Sequence, residues 1–188
     1  MTATLVTAGL LSGCGNPRQD VGEKAATYDL RVLSASFPAR QTLSRPTRML
    51  IRVRNDGSTK VPDVAVTVNS FNMISNHAGL ADPSRPVWII DQEPVGGASA
   101  YVNTWTGGSM APGQVHTFLW RVTPVVSGTH RLRYRIAAGL NGKAKARLPG
   151  GGIPEGNFSV KVTSTPSQAR VDPSTGRVVG SAPSGGAG

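Results

Sequence analysis

The stretch that decides the fold is residues 48–54, Arg-Met-Leu-Ile-Arg-Val-Arg, which leads into Asn-Asp-Gly at residues 55–57. Met49, Ile51 and Val53 share one face of an extended chain and Arg48, Arg52 and Arg54 the other, so one side of the segment is apolar. A period of two with one apolar face is typical of a half-buried antiparallel β-strand. Asn, Asp and Gly favour tight turns. The stretch therefore predicts a strand that ends in a turn.

The same alternation recurs along the middle of the chain and sets the fold class. It recurs at residues 29–32, 64–69, 117–122, 131–136 and 158–162. Six or seven such runs, separated by turn residues, predict an all-β protein with an antiparallel β-sandwich. The 188 residues include 23 Gly and 14 Pro, and only 16% of them are charged. This composition fits many turns and excludes a long-helix or coiled-coil protein.

The limits of the alternating pattern predict the domain boundaries. We expect the sandwich at residues 28–163, after a flexible spacer at residues 14–27 and before a disordered tail at residues 164–188. The tail is expected to lack structure because Pro, Ser, Gly and Ala dominate it. Residues 70–110 exceed a minimal sandwich, and the Gly-Gly pair at residues 96–97 predicts an inserted hairpin in that segment.

The turns between the strands resemble those of bacterial immunoglobulin-like modules of the CARDB and NEW3 kind. The resemblance lies in residues 52–57 (Arg-Val-Arg-Asn-Asp-Gly), 64–68 (Val-Ala-Val-Thr-Val), 111–114 (Ala-Pro-Gly-Gln) and 127–130 (Ser-Gly-Thr-His). It implies an immunoglobulin-like β-sandwich with a binding or scaffolding role. Because the chain has one cysteine, no internal disulfide can join the two sheets, and an apolar core has to hold them together.

The N-terminal residues resemble a processing signal. An apolar run at residues 4–11 is far too short to cross a bilayer, which takes about 20 residues. It leads into Leu11-Ser12-Gly13-Cys14, which resembles the lipobox of bacterial lipoproteins. The resemblance implies a signal peptide at residues 1–13, a diacylglycerol group on the Cys14 thiol with acyl chains such as palmitate, and attachment to the extracytoplasmic face of the cell membrane. The alternative is a cysteine buried in an apolar first strand.

Residues that would indicate catalysis or a metal site are sparse. The sequence has no Gly-x-Ser-x-Gly elbow, and His77, His116 and His130 are scattered without zinc spacing. His130 is spaced by multiples of two from the apolar residues that follow it, so its side chain should lie on the same face of the strand. This position predicts a packing or capping role. We therefore expect no enzyme activity, no catalytic residues, no metal and no cofactor. A small hydrolase would need an acid, a base and a nucleophile to converge in residues 70–110.

Positive charge is in excess, with 20 Lys and Arg against 10 Asp and Glu. Two arginine rows are predicted on outer faces of the sheets. One contains Arg131, Arg133 and Arg135, expected beside Lys161; the other contains Arg48, Arg52 and Arg54, expected beside Arg121. Such rows suit electrostatic contact with lipid headgroups or anionic envelope polymers. The alternative is that they only keep the sheets soluble. No nucleic-acid partner is expected, because aromatic residues do not interleave with the basic ones.

Three aromatic residues of the insertion form a second candidate contact site. If Trp88, Tyr101 and Trp105 are exposed, their rings could stack on the sugar rings of a glycan. The alternative is that they close the core of the sandwich, as large aromatic side chains commonly do.

These patterns predict a membrane-anchored, extracytoplasmic lipoprotein of the cell envelope that presents an immunoglobulin-like module to a protein or an anionic envelope polymer. The alternative is a docking subunit of an envelope enzyme or transporter complex, in which the sandwich only attaches to its partner.

Overall fold

A computed structural model describes residues 23–69, 71, 86–166 and 169–180. Every regular element in this part of the chain is a β-strand. In chain order the strands are β1 (Ala26–Ser36), β2 (Arg40–Leu43), β3 (Thr47–Asn55), β4 (Ala65–Val68), β5 (Trp88–Val95), β6 (Ala98–Tyr101), β7 (Thr104–Thr106), β8 (Val115–Pro124), β9 (Gly128–Ala137), β10 (Ala144–Arg147), β11 (Glu155–Pro166), β12 (Ala169–Val171) and β13 (Val178–Gly180).

The strands form two large sheets around one core, so the predicted all-β sandwich is confirmed. The first sheet has the strand order β10-β1-β3-β8-β5, and the second has the order β2-β11-β9-β4-β7-β6. Buried side chains from both sheets belong to a single apolar cluster. A small third sheet contains only β12 and β13.

The centre of the first sheet illustrates how the alternating pattern builds the core. Met49, Ile51 and Val53 of β3 are fully buried. Ile51 pairs with Phe118 of β8, and Met49 pairs with Trp120. Full burial of an aliphatic or aromatic side chain stabilises a fold by about 1.5–3 kcal/mol. The apolar residues of β3 and β8 therefore supply much of the core, and their polar neighbours project outward.

Both sheets are mixed, because each adds one parallel edge strand to the predicted antiparallel sandwich. β10 pairs with β1 in parallel from Ala26↔Ala144 to Asp29↔Arg147. β2 pairs with β11 in parallel, starting at Lys161↔Arg40. Each of the added strands has four residues and lies at the edge of its sheet. Antiparallel order holds in the interior of both sheets, and the parallel pairs occur only where the chain crosses from one sheet to the other.

The insertion at residues 70–110 does not form the predicted hairpin about the Gly-Gly pair. β5 joins the first sheet beside β8, whereas β6 joins the second sheet beside β7. Residues 96–97 therefore carry the chain between the sheets. The hairpin of this segment is β6–β7, and its turn contains Asn103 at a φ of 58°. Residues 70 and 72–85 lie outside the described part of the chain.

The N-terminal boundary of the domain lies earlier than predicted, because Glu23 is bound to the sandwich. Its carboxylate accepts hydrogen bonds from the backbone N–H groups of Leu140 (2.8 Å), Asn141 (3.1 Å) and Ala144 (2.7 Å). β1 then begins at Ala26. The expected spacer at residues 14–27 therefore overlaps the folded domain at its C-terminal end.

The prediction of a disordered tail is wrong for a large part of residues 164–188. β11 continues to Pro166, and β12 and β13 form an antiparallel hairpin with Arg170 opposite Val179. Asp172 stabilises its turn by accepting hydrogen bonds from the Ser174 backbone N–H (2.8 Å) and hydroxyl (2.6 Å). The high turn content of this segment fits a tight hairpin, which the composition alone did not distinguish from disorder. Residues 167–168 and 181–188 lie outside the described part.

The predicted signal peptide and Cys14 also lie outside the described residues, which start at Glu23. Among the residues that are described, no helix has the length and apolar character needed to span a membrane.

Candidate functional site

The outer surface of the second sheet contains the first predicted arginine row. Arg131, Arg133 and Arg135 are exposed on β9, while Leu132 and Ile136 between and beyond them are buried. The alternation places the apolar residues in the core, so the guanidinium groups project together from the opposite face.

Strand β11 completes this surface with polar side chains. Asn157 lies opposite Arg133, Glu155 lies opposite Arg135, and Lys161 lies opposite Thr129. A carboxylate oxygen of Glu155 is 3.8 Å from Nε of Arg135. We call this surface the basic face. It consists of Arg131, Arg133, Arg135, Glu155, Asn157, Ser159 and Lys161. Lys161 lies on the same face as the arginine row, but one cross-strand position beyond it.

A cleft of about 480 Å³ opens on the basic face. Its polar lining consists of Asn69, Arg131, Arg133, Arg135, Glu155 and Asn157. Tyr134 and Gly156 also border it. A Cβ atom on Gly156 would lie 2.5 Å from Oη of Tyr134, so the absence of a side chain at residue 156 leaves room for the tyrosine ring. Burial raises the pKa of Tyr134 above its usual value of 10.0.

The chemistry of the cleft favours recognition of an anion that also has hydroxyl groups. A guanidinium offers planar pairs of N–H donors that match carboxylate and phosphate oxygens. Side-chain amides such as that of Asn157 both donate and accept, as sugar hydroxyls do. The described lining contains neither a histidine nor a hydroxyl group hydrogen-bonded to a base.

The predicted aromatic platform does not form, because two of its three members are in the core. Trp88 and Trp105 are both buried, and only Tyr101 is exposed, at 47% of its surface. The Trp88 indole N–H donates to Oε1 of Gln41 at 2.8 Å. Trp105 packs edge-on against Trp120 with ring centroids 5.5 Å apart. The alternative considered for the sequence, that these rings close the sandwich, is correct for the two tryptophans.

His130 has the capping position that its parity predicts. Its Nε2 atom is 3.1 Å from the Val126 carbonyl oxygen and 3.2 Å from that of Ser127. The ring also packs edge-on against Trp88 at 5.4 Å. His130 therefore holds the turn before β9 and has a structural role. His77 lies outside the described residues.

A second cleft, of about 560 Å³, was not predicted, and it lies where β6 and β7 meet the loop before β4. Asp63 and Thr106 line it, and the Thr106 hydroxyl donates to the Asp63 carboxylate. Burial raises the pKa of Asp63, although the bonds from Thr106 and the Gly108 N–H oppose this shift. Four glycines form most of the lining, at residues 96, 97, 107 and 108. Local sequence gave no sign of this cleft, because its residues come from separate strands.

An acid, a hydroxyl and an imidazole therefore lie near this second cleft, but they form no proton relay. Nε2 of His116 is 2.6 Å from the Gly96 carbonyl oxygen, and the ring packs on Phe118 at 4.6 Å. No hydrogen bond joins His116 to Asp63 or Thr106 in the described structure. The Thr106 hydroxyl donates to the Asp63 carboxylate instead. Within the same described ranges, no three His, Cys, Asp or Glu side chains gather closely enough to hold a metal ion.

No protein-family model and no curated protein matches this sequence. Similar solved structures include the CARDB domain of a Pyrococcus furiosus protein, at 17% identity and a TM-score of 0.37, covering 73% of this chain and 86% of that one. They also include part of Escherichia coli alpha-2-macroglobulin, at 12% identity and a TM-score of 0.45, covering 81% of this chain and 21% of that one. A third is a PapD-like domain of human CEP192, at 9% identity and a TM-score of 0.38; the match covers 88% of this chain and 100% of that one.

The fold assignment rests on the strand order and core of this chain itself, since these similarities are weak. What the similar proteins bind does not transfer to this chain at such identities.

Proposed function

We propose that this chain is a lipid-anchored, extracytoplasmic lipoprotein that presents its sandwich as a binding or scaffolding module of the cell envelope. We propose further that the basic face binds an anionic envelope polymer with carboxylate or phosphate groups. The observation that supports this ligand is the cleft in which the arginines of β9 lie beside Asn69 and Asn157.

The proposed attachment site is Cys14, from the resemblance of residues 11–14 to a lipobox. Glu23 lies nine residues after Cys14 and is bound to the sandwich by three backbone N–H groups. Nine residues reach at most about 32 Å even when fully extended. A diacylated Cys14 would therefore keep the N-terminal end of β1 close to the lipid headgroups, and two acyl chains suffice for stable anchoring.

The attachment is tested with Cys14→Ala in the native host. We expect the parent protein in the membrane fraction, with a mass that includes the lipid and lacks residues 1–13, and the variant in the soluble fraction. If the variant stays in membranes as the parent does, or if the parent has a free thiol at Cys14, the proposed anchoring is wrong.

The ligand is tested by measuring binding to polygalacturonate and to polyphosphate, with neutral dextran as the control polymer. Arg133→Gln/Arg135→Gln should weaken binding to the anionic polymer at least about tenfold, or about 1.4 kcal/mol. The matched control is Arg48→Gln/Arg121→Gln, which removes the same charge from the other sheet. If the two double variants bind equally well, net charge rather than the cleft determines binding, and the proposed site is wrong.

The second candidate function, a docking subunit of an envelope enzyme or transporter, is favoured by the outermost strand of the second sheet, which pairs on one side only within the described residues. β6 is its outermost strand, and Tyr101 and Val102 at the end of that strand are 47% and 79% exposed. Affinity isolation from envelope extracts with the parent and with Tyr101→Ser/Val102→Ser tests this function. A single stoichiometric protein that only the parent retains would support it, and equal recovery with both would contradict it.

A further inference from the structure

The outer surface of the first sheet combines exposed apolar side chains with arginines. We call it the amphipathic face. It consists of Leu33, Ile89, Val95 and Val115, which are between 37% and 57% exposed, and of Arg48, Arg52 and Arg121. Apolar surface that remains in water costs free energy, and a contiguous patch of it commonly marks an interaction site.

A row of apolar side chains crosses this face, formed by the half-buried Leu50 and Leu119 together with the exposed Val95. Leu50 of β3 lies opposite Leu119 of β8, and Leu119 lies opposite Val95 of β5. This row spans three strands, or about 10 Å at the usual strand separation. Ile89 lies farther along β5, opposite Thr123. Val115 lies at the other end of β8, opposite Arg54.

The arginines beside this row form no ion pair with a carboxylate of the described residues. Arg48 lies directly opposite Arg121 on the adjacent strand, as the sequence predicted. Like charges in this position repel each other. Among the described residues, no carboxylate forms an ion pair with Arg48, Arg52 or Arg121, and Asp91 of β5 instead accepts the Thr123 hydroxyl at 2.7 Å. Within the described part of the chain, no direct ion pair therefore neutralises Arg48 or Arg121.

Another pair of opposed arginines on the same sheet does form ion pairs. Arg31 and Arg54 are also cross-strand partners. Both of their guanidinium groups bond to the carboxylate of Asp56, which lies between them. No acid of the described residues bridges Arg48 and Arg121 in this way, so an external anion would relieve their repulsion.

The two outer surfaces of the sandwich therefore suit different ligands. The basic face has no exposed large apolar side chain on β9 or β11, and a polar polymer would satisfy it. A polymer of that kind on the amphipathic face would neutralise the arginines and leave the apolar row in water. The headgroup region of an anionic bilayer meets both needs, since phosphates pair with arginine and the acyl boundary accepts apolar side chains.

We propose that the amphipathic face binds the surface of an anionic lipid bilayer and so fixes the orientation of the domain on the membrane. The choice of a bilayer over an acidic protein rests on the proposed function, because the anchor at Cys14 would hold the domain beside the headgroups. Contact through this face would leave the basic face on the opposite side of the sandwich accessible to polymer.

The experiment uses the full chain with Cys14→Ala, so that no acyl chain contributes to binding. The protein is sedimented with vesicles of phosphatidylcholine alone and with vesicles of equal parts phosphatidylcholine and phosphatidylglycerol. Residues 4–11 are present in every variant, so differences between variants report on the domain. We expect the parent to bind the anionic vesicles more strongly, and binding to weaken as salt shortens the Debye length from about 10 Å at 0.1 M to about 3 Å at 1 M.

Two variants and one control distinguish the amphipathic face from net charge. An arginine near an anionic surface contributes about fivefold to the partition coefficient, so Arg48→Gln/Arg121→Gln should reduce vesicle binding by about 25-fold. Ile89→Ser/Val95→Ser should reduce it at both low and high salt. The control Arg133→Gln/Arg135→Gln should bind vesicles like the parent.

The proposal is overturned if the two arginine double variants bind vesicles equally, or if the parent prefers neither vesicle. All of these positions are exposed, and thermal melting checks that each variant is folded. Removal of the Arg48–Arg121 repulsion should leave the melting temperature unchanged or higher. Because Arg48→Gln/Arg121→Gln should retain polymer binding, failure on vesicles and failure of the proposed polymer site give different results.

Discussion

Removal of the Glu23 carboxylate should loosen the N-terminal end of the sandwich. The carboxylate accepts three backbone N–H groups, from Leu140, Asn141 and Ala144. Ala144 is only 2% exposed, so Glu23→Ala leaves a donor there with little access to water. An unsatisfied buried donor costs about 1–3 kcal/mol. The other two donors are more accessible, and water replaces much of their bonding, which adds about 0.5 kcal/mol each at the low end of hydrogen-bond values. We expect a total loss of about 2–4 kcal/mol.

Gly139 allows the same contact to be tested from the other side. A Cβ atom on Gly139 would overlap the Glu23 carboxylate. Gly139→Ala should therefore displace Glu23 and destabilise the domain. In the Glu23→Ala background the overlapping group is absent, so Gly139→Ala should cost much less. Residues in contact give such non-additive effects, whereas independent sites add to within about 0.5 kcal/mol.

The assay is urea denaturation of the parent, the two single variants and the double variant, with amide hydrogen exchange at Leu140 and Ala144 as a local measure. We expect protection at Ala144 to fall in both single variants. If Glu23→Ala changes the free energy of unfolding by less than 0.5 kcal/mol, or if the two substitutions are additive, the carboxylate does not hold the N-terminal segment and the reasoning is refuted.

Three further predictions concern single side chains. Burial raises the pKa of Asp63, so the folded state binds the proton of this carboxyl more tightly than the unfolded chain does. The contribution of Asp63 to the free energy of unfolding therefore falls as pH rises from the usual pKa of 3.8 through the raised pKa of the folded state. Asp63→Asn should remove this fall in stability. If the melting temperatures of the parent and the variant change with pH in parallel, the prediction is wrong. Gly156→Ala should force the Tyr134 ring aside at a cost of about 1–3 kcal/mol in urea denaturation, and an unchanged midpoint would show that the ring yields freely. Trp88→Phe should cost about 2 kcal/mol, because the buried Gln41 side chain loses its N–H donor, whereas Gln41→Glu with Trp88 intact should keep that bond.

Strands with an unbroken alternation were predictable from the sequence. In β3, β8 and β9 the buried residues occupy the alternate positions that are apolar in the sequence pattern. This holds because side-chain direction along a strand depends only on the local backbone. The parity of His130 likewise predicted its inward, capping position, and the two arginine rows project outward as expected.

The pattern failed where the backbone is irregular or the strand is short. β5 has register shifts after Ile90 and after Gln92, and each shift interrupts the alternation. The inward direction of Trp88 therefore could not be read from its neighbours. β2 and β10 have four residues each, too few to show a period, and they are strands only because a longer strand offers them an edge.

The sequence by itself determined that the chain folds into strands and which side chains share a face with one another. It also located residues 11–14 as the candidate lipidation site and the arginine rows as candidate contact surfaces. Only the tertiary structure decided that Arg133 lies opposite Asn157 at a cleft, and that the row Leu50–Leu119–Val95 lies beside the opposed pair Arg48 and Arg121. The physical reason is one of range: the direction of a side chain is set within a strand, whereas the chemistry of a surface depends on strands far apart in sequence that long-range pairing brings together.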